Sequence, residues 1–201
     1  MGQILRVRAR WTGFTGAPGF SNFYFGKDDR EADITVADAI AATDRVNQFI
    51  VDIKAQLPNV VQLQVDADCE VLDEVNSSLV DVFDGAPGGA QNGTAGAGGY
   101  AAASGAVITW RTAGIRNGRR VRGRTFIVPL YSSKYGADGS LDGATVTALN
   151  TAGTGLSDSG SDLDFGVWAR NNNPLVPNGI WHPCTSFSVP DMNAVLRSRR
   201  D

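Results

Sequence analysis

The chain has 201 residues, 42% of them hydrophobic, and a formal net charge of −3, a composition typical of a globular protein with a packed core. No apolar run approaches the roughly 20 residues that span a bilayer, and the first residues lack the apolar stretch of a secretory signal. We therefore expect one soluble domain, made in the cytoplasm, without a membrane partner. Two cysteines cannot form a disulfide framework, and the acidic net charge excludes a surface that is basic throughout.

The first strand is predicted over residues 4–11, where apolar and basic side chains alternate strictly. Its arginines would face outward, and the apolar side chains that would face the core are Leu5, Val7, Ala9 and Trp11. Glycines and a proline then turn the chain, and the aromatic run at 20–25 predicts a second short strand.

The first helix is predicted over residues 35–57, because apolar residues recur there every three or four positions. Asp33 or Thr35 would cap its start, and Asp38 lies in the first turn, where a carboxylate interacts favourably with the helix dipole. Pro58 predicts its end, since the residue before a proline disfavours helical geometry.

The alternation of period two returns at residues 60–72 and predicts a third strand. Its polar face carries Asp66, Asp68 and Glu70, which the alternation explains as a solvated strand face, weak binding of a divalent cation being the less favoured alternative. The acids of "SDSGSDLD" at 157–164 are interpreted in the same way, since they lack the spacing of a calcium loop. A fourth strand is predicted at 78–83.

A long stretch at residues 85–105 consists largely of glycine and alanine. Such a composition cannot bury enough apolar surface to offset the entropy lost on ordering. We therefore expect a mobile loop here, inside a single domain that spans residues 1–201.

A basic hairpin is predicted next, with strands at 106–111 and 122–130 and a turn at Asn117-Gly118, a strong hairpin signal. Six arginines surround this turn; they are Arg111, Arg116, Arg119, Arg120, Arg122 and Arg124. We call residues 111–124 the arginine hairpin. So many guanidinium groups repel one another unless acids or phosphates lie opposite. We expect them to bind the acidic strand face of another copy or nucleic acid, the simpler alternative being a solvated turn.

The last elements are a helix at 142–156, which Asp142 would cap and two internal glycines weaken, and strands at 163–170 and 185–190 joined by a loop. In total the patterns predict an α+β fold that is mainly β. We expect seven or eight strands in an antiparallel β-sandwich, of which a jelly-roll is one form, together with two helices.

No enzymatic constellation is recognisable. His182, the only histidine, lies two residues before Cys184, but a metal site needs three or four ligands, and a Cys–His catalytic pair usually meets across a fold rather than along one strand. We interpret them as a loop histidine and a packed cysteine. The common phosphate-binding, hydrolase and metalloprotease motifs are absent from the sequence, so we expect no catalysis, no metal and no cofactor.

The arginine hairpin and its flanking strands resemble a pattern in small virion proteins of circular single-stranded DNA viruses and of phages. There an apolar strand leads into Arg-Thr, a turn rich in glycine and arginine, a Gly-Arg-aromatic step and an apolar strand that ends in proline. The residues here that match are Arg111, Thr112, Gly118, Arg119, Gly123, Arg124, Phe126 and Pro129. An Ala-rich helix, "FGVWAR" and "TSFSVPDMNAVLRSRRD" follow in similar order, so the resemblance covers about residues 105–201.

The resemblance implies a coat-like or accessory virion protein on a sandwich of the jelly-roll type. Many such coat proteins carry a long basic N-terminal arm for the genome, whereas here the first strand begins almost at Met1, which favours a shell, decoration or head–tail role. We therefore predict a virion structural protein, made in the host cytoplasm, that self-assembles through charge-complementary surfaces and contacts other virion proteins.

Two non-catalytic binding functions stay open as alternatives. The arginine hairpin contains the residue type that supplies most phosphate contacts to nucleic acid. The tryptophans Trp11, Trp168 and Trp181 would form a stacking platform for glycans if they were exposed, although the strand alternation favours the core for Trp11.

Overall fold

The computed structural model describes residues 2–12, 18–29, 31–57, 62–83, 105–112, 114–116, 119–121, 123–130, 132–157, 161–170 and 179–189. The strands are β1 (Gln3–Thr12), β2 (Pro18–Lys27), β3 (Gln62–Asp73), β4 (Leu79–Phe83), β5 (Gly105–Thr112), β6 (Ile115–Arg116), β7 (Arg119–Arg120), β8 (Thr125–Pro129), β9 (Leu163–Arg170) and β10 (Gly179–Ser188). The helices are α1 (Val36–Lys54) and α2 (Gly143–Ser157). The expected mobile loop lies outside the described residues except for Gly105, which begins β5.

Eight of the described strands form one antiparallel sheet in the order β4-β3-β1-β2-β9-β10-β5-β8, and β6 pairs with β7 separately. Both helices pack on this sheet and on each other, α1 against β3 and β1 and α2 against β10, β5 and β9. The prediction of a mainly β, antiparallel fold with two helices is confirmed. The sandwich or jelly-roll is not confirmed, because in the described part of the chain helices rather than a second large sheet cover the apolar face.

Five aromatic rings form the centre of the core between sheet and helices. They are Phe23, Phe25, Phe49, Trp110 and Phe165, each at most 1% exposed, with neighbouring ring centroids 5.3–6.0 Å apart. Tilted and edge-to-face pairs of this kind add about 0.5–1.5 kcal/mol each beyond area burial. The alternation of β1 is confirmed where side chains are described, since Leu5, Val7 and Ala9 are fully buried.

Helix α1 begins with a capping box between Thr35 and Asp38. The Asp38 carboxylate accepts the backbone N–H of Thr35 (2.7 Å), and the Thr35 hydroxyl accepts the N–H of Asp38 (3.3 Å). Of the two predicted caps, Thr35 is therefore correct, whereas Asp33 accepts a hydrogen bond from Gln3 instead. The regular helix ends at Lys54, three residues before the predicted end, and residues 55–57 continue as a turn.

Helix α2 has the predicted N-cap. Asp142 accepts the backbone N–H of Thr145 on Oδ1 (2.9 Å) and its hydroxyl on Oδ2 (2.5 Å). These bonds from Thr145 to the ionised carboxylate lower the pKa of Asp142. The cap therefore stabilises the first turn of α2 best when Asp142 is charged.

Arg45 of α1 joins both helices to the sheet. Its guanidinium donates to the backbone carbonyls of Leu156, near the end of α2, and of Leu163, at the start of β9. The same group lies 5.0 Å from the centroid of the Phe25 ring, within the range of a cation–π contact. A single α1 side chain thus fixes the end of α2 against the sheet.

Candidate functional site

The arginine hairpin is built in two parts. At its base β5 pairs with β8 from Gly105↔Pro129 to Thr109↔Thr125. At its tip β6 pairs with β7 through Ile115↔Arg120 and Arg116↔Arg119, on either side of the predicted Asn117-Gly118 turn, which itself lies outside the described residues. Between the parts the chain passes close to β5, since a Cβ at Gly123 would lie 1.5 Å from the Trp110 carbonyl oxygen, an approach that requires glycine.

Two arginines of the hairpin have exposed, described side chains, Arg111 at the end of β5 and Arg120 in β7. The Thr112 hydroxyl donates to the Val121 carbonyl (3.0 Å), which brings the residues next to both arginines together. Within the described residues, neither Arg111 nor Arg120 forms an ion pair with a carboxylate.

The remaining arginines of the hairpin differ in how much of them the structure describes. The backbones of Arg116 and Arg119 lie in β6 and β7, but their side chains lie outside the description, as does the whole of Arg122. The structure thus locates the side chains of Arg111 and Arg120, and the role of Arg116, Arg119 and Arg122 in a basic cluster stays a prediction.

Arg124 departs from that expectation, because its side chain turns inward. Its Nη2 donates to the Ser21 hydroxyl, and its guanidinium lies 6.0 Å from the centroid of the Phe23 ring. Burial lowers the pKa of this half-buried group. The cause is strand alternation: Phe126, two residues further along, packs edge-to-face on Phe49 in the core, and Arg124 shares its face. In the sequence this alternation is hard to recognise, because arginines occupy so many positions of the segment.

Two arginines on the basic face of β1 share one carboxylate of the same chain. Arg6 and Arg8 both form ion pairs with Glu70 of β3, the Arg8 pair at 2.8 Å. The two strands are neighbours, with Arg6 directly opposite Glu70 in the register. Glu70 is thus engaged within its own chain, so its carboxylate is not free for the arginine hairpin of another copy.

A surface that sequence reasoning missed lies on β4, the strand at one end of the sheet. Its aliphatic residues Leu79, Val80 and Val82 are 59%, 50% and 37% exposed, and Asp81 between them is exposed as well. Successive strand residues point to opposite faces, so both faces of β4 are largely uncovered. We call Leu79–Phe83 the β4 edge. The sequence predicted the strand, but its position at the end of the sheet depends on strand order.

The turn between β3 and β4 folds over the tryptophans that the sequence proposed as a glycan platform. Glu74 accepts the indole N–H of Trp168 on its carbonyl oxygen (3.0 Å) and the backbone N–H of Trp181 on Oε1 (2.7 Å). Trp181 is only 6% exposed and lies over Gly166. These two rings are therefore packed rather than presented for stacking, and the Trp11 side chain lies outside the described residues.

His182 and Cys184 lie on β10, which begins six residues before the predicted strand, so His182 is a strand residue rather than a loop residue. Burial raises the pKa of Cys184 to about 12, which keeps the thiol protonated and unsuited to nucleophilic attack. In the described part of the chain, no group of three or more His, Cys, Asp or Glu side chains is arranged to hold a metal ion.

None of the described helices is long and apolar enough to cross a membrane.

Comparison with protein-family models, with curated proteins and with solved structures finds no match to this chain.

Proposed function

We propose that this chain is a structural subunit of a virion, a coat, decoration or head–tail component, that assembles with copies of itself through surfaces of opposite charge. The observation that carries the proposal is the pair Arg111 and Arg120. Both are exposed and lack a carboxylate partner among the described residues, although the chain as a whole is acidic. The resemblance of residues 105–201 to small virion proteins supports the same reading.

Positively charged guanidinium groups that lie close together on a surface favour binding to a negatively charged partner. Glu70 already pairs with Arg6 and Arg8 of β1 within the chain, whereas Arg111 and Arg120 of the arginine hairpin have no carboxylate partner among the described residues. Exposed ion pairs contribute only about 0.2–1 kcal/mol each. Assembly through them therefore needs several contacts per subunit, which a symmetric arrangement of many copies provides. A jelly-roll is not required, since self-complementary charge depends on the surface rather than on a particular fold.

Sedimentation velocity of the purified chain at low and high salt, with electron microscopy of the same samples, tests the proposal. Arg111→Gln with Arg120→Gln should shift the protein toward monomer. The control Ala41→Glu with Asn150→Glu, at two exposed helix positions, changes the net charge by the same −2 and should not. A wild-type chain that stays monomeric at high concentration and forms no particles would overturn the proposal.

Nucleic-acid binding is the second candidate, favoured by the same two exposed arginines. Retention of DNA should then fall steeply with salt, and the Arg111→Gln, Arg120→Gln variant should lower the slope of log K against log salt by about 2, since each phosphate contact contributes about 0.9. Binding that is absent or insensitive to salt would dismiss this candidate. A glycan-binding function has less support, since Trp168 and Trp181 are packed against Glu74.

A further inference from the structure

We propose that the β4 edge is the surface on which the arginine hairpin of a second copy docks, so that the two copies meet head to tail. This inference rests on the self-association proposed above and names the two surfaces that meet. The occupant is the arginine hairpin of a neighbouring molecule, which adds β7 (Arg119–Arg120) as a further strand beside β4 and brings Arg111 and Arg120 toward Asp81.

The β4 edge is open to a further strand. Among the described residues it is the last strand of the sheet and pairs with β3 on one side only, which leaves the backbone groups on its other side for hydrogen bonds with another chain. Proteins usually protect such an edge with lysine, proline or an irregularity. The β4 edge, "LVDVF", contains neither lysine nor proline, and its one irregularity is a register shift against β3 between Leu79 and Asp81. At the other end of the sheet, β8 ends in Pro129, which has no N–H to donate.

The arginine hairpin offers a strand to match. Within the described residues, β7 pairs with β6 and with no strand of the main sheet, so its outer side is available for pairing. Addition of a strand from one molecule to the sheet edge of another is a recurrent mode of recognition, with main-chain bonds supplying affinity and side chains supplying specificity.

Charge complementarity selects the hairpin over other occupants. Asp81 is the charged residue of the β4 edge and is exposed, and among the described residues it forms no ion pair, accepting a hydrogen bond from the neighbouring Val82 N–H (2.8 Å). Among the described residues, Arg111 and Arg120 are exposed cations that form no ion pair with a carboxylate. Opposite charges across an interface fix its register and exclude wrong partners.

Pairing of β4 with β4 of a second copy is the competing arrangement, and the same carboxylate disfavours it. In the symmetric antiparallel register that uses all of Leu79–Phe83, the two copies of Asp81 would lie directly opposite each other, and like charges there are destabilising. Docking of hairpin on edge avoids that contact. The arginine hairpin and the β4 edge are different surfaces, so a docked pair still has one hairpin and one β4 edge unoccupied. The same contact can therefore repeat into rings, shells or filaments.

The test is a charge exchange followed by sedimentation velocity. Asp81→Lys alone, and Arg111→Glu with Arg120→Glu alone, should each weaken self-association about tenfold, since attractive pairs become repulsive. The triple variant, and an equimolar mixture of the two weakened proteins, should recover it, because each then offers the charge that the other needs. Asp44→Lys, at an exposed position of α1, is the matched control for Asp81→Lys and should associate like wild type.

Each other outcome overturns the inference. If Asp81→Lys associates like Asp44→Lys, or if only the aspartate matters, the hairpin does not dock on the β4 edge, although the proposed self-assembly stands. If the wild-type chain is monomeric, the proposed self-assembly is wrong and this inference is wrong with it. Hydrogen exchange gives a second readout on the unmodified protein: association should protect the amides of residues 79–83, and unchanged exchange there in the assembled state contradicts docking.

Discussion

Two glycines of α2, only two residues apart, should respond to the same substitution in opposite ways. A Cβ at Gly155 would have no atom within 4 Å outside its own helix, whereas a Cβ at Gly153 would lie 2.7 and 2.8 Å from two ring carbons of Phe187 in β10. Alanine is favoured over glycine in a helix interior by about 0.8–1 kcal/mol. Gly155→Ala should therefore raise the free energy of unfolding by about 1 kcal/mol.

Gly153→Ala gains the same helix propensity but must displace Phe187. Overfilling a packed site costs about 1–3 kcal/mol, so the net effect should be a loss of up to about 2 kcal/mol. The displacement would also disturb the indole N–H of Trp110, which donates to the Gly153 carbonyl (3.3 Å). For a chain of this length each kcal/mol shifts Tm by about 2–4 °C, so Gly155→Ala should melt above the wild type and Gly153→Ala below it.

Urea denaturation and calorimetry of both variants measure this difference. In a Phe187→Ala background the obstacle is gone, so Gly153→Ala should become stabilising there, like Gly155→Ala. If Gly153→Ala stabilises the wild-type protein as much as Gly155→Ala does, the packing of α2 on β10 through Phe187 is refuted.

Three further predictions concern stability and reactivity. Arg45→Met should lower the free energy of unfolding by about 2–4 kcal/mol in urea, because two carbonyls lose a charged donor; a loss under 1 kcal/mol would contradict the joining role of Arg45. Asp142→Ala should cost about 1 kcal/mol at pH 7. Because the folded pKa of Asp142 lies below its ordinary value of 3.8, the contribution of the carboxylate is present above that value and is lost as the pH falls through the folded pKa, so wild type and variant should converge in acid. Cys184, with its pKa raised to about 12, should react with iodoacetamide at pH 8 far more slowly in the folded protein than in urea, as mass spectrometry would show; equal rates would contradict its burial.

The elements themselves were predictable from local patterns. A 3.6-residue period and a capping box marked α1, the Asp142 cap marked the start of α2, and alternation marked β1 and residues 69–71 of β3. The Asn-Gly turn marked the hairpin connection between Arg116 and Arg119. Each of these features depends on residues within a few positions of one another, whose spacing the sequence displays directly.

The candidate site depended on contacts between residues far apart in the chain. Glu70 is more than sixty positions from Arg6 and Arg8 in the sequence, and it forms ion pairs with them only because β3 lies beside β1. In the sequence Arg124 belongs to the group of six arginines, whereas in the fold its side chain contacts Ser21 and the ring of Phe23. The exposure of the β4 edge also depends on distant residues, because strand order places β4 at the end of the sheet.

The sequence alone therefore determined which segments are helices and strands, which of their faces are apolar, and where the arginines are concentrated. Only the tertiary structure decided which strand ends the sheet, which arginines are already paired or buried, and that helices cover the apolar face. The physical reason is that periodicity reflects the local geometry of the backbone, whereas strand order is set by which distant apolar surfaces bury each other after the connecting loops have closed.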